Sequence, residues 1–183
     1  MRIQELTLIG FGAIGRSVYQ RVLGHAGVRI THIVVTEAKV AALQDELGSG
    51  VTVTRQVPVN TALVLECAGH TALTAHVLPA LQRGTECAVL SIGALSEPGL
   101  PERLQAAAEQ GGTQLHLLAG AIGGVDALSA ALQAGLDSVT YIGRKPPAGW
   151  RGSPAEQLVN LDALTEPTVI LEASAREAAR LYP

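Results

Sequence analysis

The stretch "LIGFGAIGRSV", residues 8–18, decides the fold, because it places three glycines within six positions between an apolar run and a helical pattern. Glycine costs backbone entropy wherever the chain is ordered, so three together need a physical reason. Gly10 permits a tight turn, Gly12 leaves the main chain open to a ligand, and Gly15 allows a helix to pack closely on a strand. We therefore predict a strand, a glycine turn and a helix whose first N–H groups, from Gly12 to Ile14, face a diphosphate.

Short apolar runs alternate with helical patterns along the chain, which is typical of repeated βα units around a parallel sheet. Six runs have the length and content of strands: "LTLIG" (6–10), "RITHIVV" (29–35), "VTVTR" (51–55), "ALVLECA" (62–68), "CAVLSIG" (87–93) and "QLHLLAG" (114–120). Apolar residues recur at four-residue spacing in two intervening segments, at Ile14, Val18 and Val22 and at Leu73, Val77 and Leu81. We predict an α/β fold, a Rossmann-type doubly wound parallel sheet, with a later helix that has Ser96 as its N-cap.

The composition of the chain limits the class of binding partner and the cellular compartment that we expect. The chain has 183 residues, of which 48% are apolar and 16% charged, enough to bury a core for one domain or somewhat more. A formal charge of −3 without a basic run argues against nucleic acid or an anionic membrane as partner and favours a small molecule. No apolar stretch approaches the ~20 residues that span a bilayer, and the N-terminus lacks the features of a secretory signal, so we predict a cytoplasmic protein.

The two cysteines and the histidines give no sign of a metal centre. Cys67 and Cys87 lie inside strand-like runs without metal-ligand spacing, so we interpret them as reduced core thiols. Four histidines have no partner at the spacing of a metal site or a catalytic triad, namely His25, His32, His76 and His116. We predict no metal site.

Glu37 supplies a further part of a dinucleotide fingerprint, because it follows the second strand about 20 residues after the glycines. A carboxylate there would accept hydrogen bonds from the adenosine ribose and repel a 2′-phosphate, which favours NAD over NADP. Thr36 occupies the position directly after the strand, and Lys39 is close enough to neutralise a phosphate. The alternative is that Glu37 serves only as a favourable charge in the first turn of the next helix, so the expected cofactor is NAD or NADP.

Small residues follow two more strands, in "ECAGH" (66–70) and "SIGAL" (91–95). In an open α/β sheet the ligand crosses the carboxyl ends of the strands, so these segments would let the nicotinamide half lie close to the main chain. His70 either faces the nicotinamide or the substrate, or has a positional and packing role at the start of a helix.

These motifs, together with "AGAIGGVDALSAA" (119–131) and "RKPP" (144–147), resemble the L-aspartate dehydrogenase family over essentially the whole chain. The resemblance implies an enzyme that transfers a hydride from C2 of L-aspartate to C4 of the nicotinamide and forms iminoaspartate. That imine would feed NAD biosynthesis or hydrolyse to oxaloacetate and ammonia.

The resemblance also implies residue roles, matched motif by motif. The residues expected to contact the cofactor are Gly10, Gly12, Ala13, Ile14 and Gly15 at the pyrophosphate, Cys67, Ala68 and Gly69 near the nicotinamide ribose, and Ala121 where the first domain meets the second. For Gly123 and Gly124, a purely structural role as a tight turn that opens a helix explains the glycines as well as a functional role does. Arg144 and Lys145 would neutralise a substrate carboxylate or remain solvated loop charges. No catalytic residue is identified.

The expected domains are a dinucleotide-binding Rossmann domain over residues 1–120 and an incomplete α+β domain over 121–183, which would serve the substrate and dimerisation. Family members continue past the segment matching the end of this chain and supply a histidine proposed as the catalytic acid or base, so we expect a shortened member. Only "SVTYIG" (138–143) and "TVILEAS" (168–174) resemble strands in the second part. Two strands rarely stand alone, so we expect self-association, as a homodimer, to cover them.

Two alternative functions remain. One is a related oxidoreductase of the same architecture, such as a dihydrodipicolinate reductase or a homoserine dehydrogenase, acting on another aspartate-derived metabolite. The other is a non-catalytic protein that binds NAD and senses its concentration or serves as an assembly subunit.

Overall fold

A computed structural model describes residues 3–120 and 122–182 of the chain. The chain divides into two compact units, residues 1–120 and residues 121–183. The strands of the first unit are β1 (Gln4–Ile9), β2 (Val28–Val34), β3 (Thr52–Thr54), β4 (Leu63–Glu66), β5 (Glu86–Val89) and β6 (Leu115–Leu117). Its helices are α1 (Ala13–Val22), α2 (Glu37–Leu47), α3 (Leu78–Gln82) and α4 (Leu100–Gly111).

The six strands form one sheet in the order β3-β2-β1-β4-β5-β6, and all neighbours are parallel. The order reverses between β1 and β4, which pair through Leu6 with Leu63 up to Ile9 with Glu66. This is the strand order of a doubly wound Rossmann sheet, and its ligand crevice lies outside the carboxyl ends of the strands at that reversal. The predicted fold class is confirmed.

The hydrophobic core consists of two clusters, because successive residues of a strand point to opposite faces of the sheet. Leu8 of β1 belongs to a cluster that packs with Val18 of α1 and Leu43 of α2. The adjacent Ile9 belongs to the other cluster, with residues of α3 and α4. The predicted apolar face at Leu73, Val77 and Leu81 is confirmed, since all three side chains are fully buried. The segment Leu73–Val77 is a π-helical turn that leads into α3.

Ile14 does not share the buried face of α1, contrary to the prediction. Its side chain is 56% exposed, whereas Val18 and Val22 pack against the core. Residues four positions apart advance about 400° around a helix, so Ile14 lies about 80° away from Val22. The drift moves the first-turn residue off the packing face.

The helix expected after Ser96 begins later than predicted. Ser96 ends a 3₁₀ turn over Ile92–Ser96, and α4 has Gly99 as its N-cap, in the left-handed region at φ +79°. Glu97 is extended, with ψ 124°, because the ring of the following Pro98 disfavours the helical region for the residue before it. The expectation of an N-cap at Ser96 is therefore wrong.

The regular elements among the described residues of the second unit are helices and helical turns, joined by long irregular segments. Its helices are α5 (Val125–Ala134), α6 (Ala155–Leu158) and α7 (Ala175–Leu181). The strands expected at 138–143 and 168–174 do not form, since neither segment has a ladder partner among residues 122–182. Strand propensity alone is worth at most about 1 kcal/mol, too little to hold a strand that lacks a neighbour. Within the described residues, no helix combines the length and apolar character needed to cross a membrane.

Candidate dinucleotide-binding site

The three glycines of the turn after β1 have different neighbours. A Cβ on Gly10, which has φ +89°, would lie 2.6 Å from Cα of Ala68. A Cβ on Gly15 would lie 2.3 Å from the carbonyl oxygen of Gly10. A Cβ on Gly12 would meet nothing within 4 Å. Gly10 and Gly15 are therefore required by packing, whereas Gly12 borders open space.

The open space lies at the N-terminus of α1. Gly12 is the N-cap, with an extended backbone at φ −81° and ψ −160°, and no side chain caps the helix. Gly12, Ala13 and Ile14 are all exposed. The first N–H groups of a helix have no intrahelical partners, and the helix dipole adds positive potential there. The turn therefore fits a diphosphate, and it lies beside the strand reversal where such a group is expected.

Arg16, one turn into α1, is engaged away from this cradle. Its guanidinium forms two hydrogen bonds with the Glu46 carboxylate of α2 and stacks 4.6 Å from the ring centroid of Phe11. The hydrogen bonds raise the pKa of Arg16 and lower the pKa of Glu46. The main-chain N–H groups, rather than this cation, are left to receive an anion.

Glu37 and Arg55 lie together beyond the carboxyl ends of β2 and β3. Glu37 is the first residue of α2, and Thr36 is its N-cap. The Arg55 guanidinium donates a hydrogen bond of 2.6 Å to the Glu37 carboxylate, and both side chains are exposed. The sequence reasoning identified Glu37 but missed Arg55. A basic residue at the end of the neighbouring strand was the available signal.

Cys67, Ala68 and Gly69 form the loop after β4, on the other side of the glycine turn. Ala68 is exposed, and Cys67 and Gly69 are partly buried. Burial, followed by the charge of Glu66, raises the pKa of the Cys67 thiol to about 11. Burial likewise raises the pKa of Cys87 to about 12. Both thiols are therefore protonated at neutral pH, and neither is a nucleophile there.

Glu66 is a buried carboxylate that the sequence reasoning missed. Its side chain is 0% exposed, and its carboxylate accepts hydrogen bonds from four donors of two loops. The donors are the N–H groups of Ala68 (2.6 Å), Gly69 (2.8 Å) and Ser91 (3.0 Å) and the Ser91 hydroxyl (2.9 Å). The signal available was a charged residue at the end of an otherwise apolar run, but its donors could not be read from the sequence.

His70 packs on the loop after β5. A Cβ on Gly93 would lie 2.8 Å from Nε2 of His70, so the imidazole rests directly against the Gly93 main chain. Of the two roles considered for His70, this contact supports the positional one. The segments 66–70 and 91–95 are thus joined at two points, by Glu66 with Ser91 and by His70 with Gly93.

The remaining expected site residues belong to the second unit. Ala121 lies outside the described residues. Gly124 is the N-cap of α5. The Lys145 ammonium lies 4.9 Å from the centroid of the Trp150 ring, and the Trp150 indole N–H donates to the Lys145 carbonyl. Lys145 therefore helps to close its own loop, and Arg144 is exposed. In the described part of the chain, no group of three or more His, Cys, Asp or Glu residues is arranged to hold a metal.

The fold and the open glycine turn are those of the Rossmann proteins that bind a dinucleotide. Two protein-family models match the chain, one described as "Homoserine dehydrogenase, NAD binding domain" over residues 10–118 and one as "Aspartate dehydrogenase, C-terminal" over residues 126–183. An L-aspartate dehydrogenase of Cupriavidus necator is 51% identical, over 98% of this chain and 69% of its own length. One of Pseudomonas aeruginosa is 46% identical over the same shares. The chain belongs to the L-aspartate dehydrogenase family.

Solved structures agree on the fold. The aspartate dehydrogenase of Thermotoga maritima superposes with a TM-score of 0.67 at 23% identity, over 100% of this chain and 69% of that one. The WlbA dehydrogenase of Bordetella pertussis, solved with NADH and UDP-GlcNAcA, gives a TM-score of 0.59 at 14% identity, over 91% of this chain and 59% of that one. The family and the matched NAD-binding domain make this chain an NAD(P)-dependent oxidoreductase, with NAD or NADP as its cofactor.

Proposed function

We propose that this protein catalyses the oxidative deamination of L-aspartate to iminoaspartate. The observation that carries the proposal is the open glycine turn at Gly12, in a chain 51% identical to an L-aspartate dehydrogenase over 98% of its length. The turn supports cofactor binding, and the identity supports the substrate. Iminoaspartate would then feed NAD biosynthesis or hydrolyse to oxaloacetate and ammonia.

When bound, the nicotinamide would supply a hydride acceptor, so that L-aspartate loses a hydride from C2 and a proton from the amine nitrogen and becomes iminoaspartate. The chain's own residues bind and orient. The N–H groups of Gly12, Ala13 and Ile14 hold the diphosphate, and Gly10 and Gly15 keep the turn tight enough for that approach. The loop Cys67–Gly69 lines the nicotinamide ribose.

Glu37 is the proposed contact for the adenosine ribose. Its carboxylate accepts hydrogen bonds from the ribose hydroxyls of NAD, which supports NAD as cofactor. Arg55, which holds that carboxylate at 2.6 Å, supplies the cation that a 2′-phosphate would need. We therefore propose that NADP is also accepted, at the expense of the Glu37–Arg55 pair.

The second unit is proposed to serve the substrate and dimerisation, and the family resemblance supports Ala121 as a further contact of the cofactor. Arg144 is the proposed partner of a substrate carboxylate, since Lys145 is engaged with Trp150. A homodimer in the cytoplasm is the proposed state of the protein.

A measurement of enzymatic turnover tests the proposed reaction. The purified protein is mixed with L-aspartate and NAD or NADP, and reduced cofactor is followed by its absorbance while ammonia is measured separately. We expect reduced cofactor and ammonia in equal amounts with L-aspartate and none with D-aspartate. Turnover with L-homoserine instead would favour the related oxidoreductase, and cofactor binding without turnover of any amino acid would favour the non-catalytic alternative.

A further inference from the structure

The buried Glu66 carboxylate is not needed for the stability of the hydrophobic core. Taking a carboxylate out of water costs several kcal/mol, and an apolar side chain of similar size is often at least as stabilising at such a position. Val64, on the same face of β4, shows the apolar alternative and is also fully buried. The four partners of Glu66 are neutral N–H and O–H groups of the two loops. Glu66 is therefore held by hydrogen bonds and not by an ion pair.

The donors to Glu66 come from the loops at the carboxyl ends of two adjacent strands. Oε1 accepts from Ala68, Gly69 and the Ser91 hydroxyl, and Oε2 accepts from the Ser91 N–H. Gly69 has φ +133°, a conformation that favours glycine, so the loop after β4 is bent around the carboxylate. Because these N–H groups point inward to Glu66, this one side chain ties the main chain of the loop after β4 to that of the loop after β5.

In a doubly wound sheet the strands on either side of the reversal bind different halves of the dinucleotide. The β1-β2-β3 half holds the glycine turn and Glu37, which places the adenosine there. The loops after β4 and β5 therefore face the nicotinamide riboside. We propose that Glu66 is a positioning residue that fixes these two loops as one surface and thereby orients the nicotinamide riboside for hydride transfer. The inference rests on the proposed function for its reaction, but its effect on cofactor affinity can be measured without substrate.

Glu66→Gln is the sharpest variant. It keeps one acceptor oxygen and the volume of the side chain, but its NH2 group cannot accept from the Ser91 N–H. Ser91→Ala is the milder second variant, since it removes only the hydroxyl donor and leaves a smaller perturbation if Glu66→Gln folds poorly. Ser91→Thr retains the hydroxyl and should restore the wild-type behaviour. The matched control is Glu86→Gln, at the amino end of the neighbouring strand, where the carboxylate is exposed and bonded to His116.

The experiment compares two ligands by calorimetric titration of the full chain. NAD carries the nicotinamide riboside, and ADP has the same adenosine and diphosphate without it. We expect Glu66→Gln to weaken NAD binding by about tenfold, the value of one lost hydrogen bond to a charged group, with ADP affinity changed much less. Ser91→Ala should shift the same ratio in the same direction by less, while Ser91→Thr and Glu86→Gln should match the wild type. In turnover, kcat should fall with Glu66→Gln while the KM for L-aspartate changes little.

Equal losses of NAD and ADP affinity in Glu66→Gln and Ser91→Ala would assign these residues a general folding role and overturn the inference. Wild-type affinity for both NAD and ADP in the two variants would overturn it as well. If the wild type binds NAD with the expected dependence on Glu66 but does not oxidise L-aspartate, the proposed reaction fails while the positioning role stands.

Discussion

Gly12 and Gly15 occupy one turn but are needed for different reasons, and substitution by alanine separates them. At Gly15 an added Cβ would lie 2.3 Å from the Gly10 carbonyl oxygen, which is backbone and cannot move aside cheaply. Gly15→Ala should therefore lower the free energy of unfolding by about 3 kcal/mol or more. At Gly12 the Cβ points into open space, so Gly12→Ala should cost only about 1 kcal/mol, the usual difference at an N-cap.

For NAD binding, we expect Gly12→Ala to have a larger effect than its small effect on stability indicates. Because the Gly12 Cβ would occupy the approach to the main-chain N–H groups, Gly12→Ala should weaken NAD binding by about tenfold or more. Thermal unfolding and NAD titration of both variants provide the measurement, with exposed Gly24→Asn, in a left-handed turn beyond α1, as the control. A Gly12→Ala protein that binds NAD like the wild type would show that the turn does not hold the diphosphate.

The Glu37–Arg55 pair predicts how cofactor preference responds to substitution. Glu37→Ala removes the carboxylate that repels a 2′-phosphate and releases Arg55 to bind one, so the ratio of kcat/KM for NADP over NAD should rise by about tenfold. Arg55→Ala should lower that ratio. Arg29→Ala is the matched control, since Arg29 is also exposed and paired with a glutamate, Glu5, at the opposite end of the sheet. A ratio that moves equally in the control and in Glu37→Ala would count against the assignment.

At the scale of elements, we predict that the π-helical turn before α3 contributes to the pH dependence of stability. His76 lies in this turn, and its buried Nδ1 has no hydrogen-bond partner among the described residues. Burial lowers the pKa of His76 below its ordinary value of 6.5. As the pH falls below that value the unfolded chain takes up the proton first, so the contribution of His76 destabilises the folded state progressively on the acidic side.

Replacement of His76 by leucine should remove this effect. The Tm of the wild type should fall more steeply than that of His76→Leu between about pH 7 and pH 5, and the variant should gain about 1 kcal/mol from loss of an unpaired buried nitrogen. Thermal unfolding over this range tests both, with His25→Gln as an exposed histidine control. Parallel pH curves for wild type and His76→Leu would exclude the burial effect.

The elements differ in how far the sequence predicts them. The six strands of the first unit follow from local apolar runs, because each run has a neighbour in the sheet. The runs at 138–143 and 168–174 have the same local character but no ladder partner among residues 122–182, so local pattern alone misleads there. The glycine turn is predictable since its function depends on residues close in sequence. Glu66 is not, because its role depends on Ser91, 25 residues away.

For the molecule as a whole, the two units bury very different amounts of apolar surface. Both core clusters lie within the first unit, whereas Ala155 and Leu161 are the buried hydrophobic residues among 122–182. Burial of apolar surface is the main source of free energy that offsets the loss of chain entropy on folding. The first unit thus buries enough apolar surface to fold by itself, whereas the second unit buries little.

Residues 1–120, expressed alone, should therefore unfold in one cooperative thermal transition and retain NAD binding. A ligand at about 100 times its Kd adds about 2.7 kcal/mol to the free energy of unfolding, so NAD should raise the Tm of this fragment and that of the full chain alike. Residues 121–183 alone should show no cooperative transition by circular dichroism. The same fragment of residues 1–120 carrying Gly12→Ala is the control, since it should still unfold cooperatively, with only the small loss of stability given above, but show a smaller NAD-dependent rise in Tm. A cooperative fold of 121–183, or a fragment 1–120 that melts without a transition, would mean that the core clusters of the first unit do not by themselves determine stability.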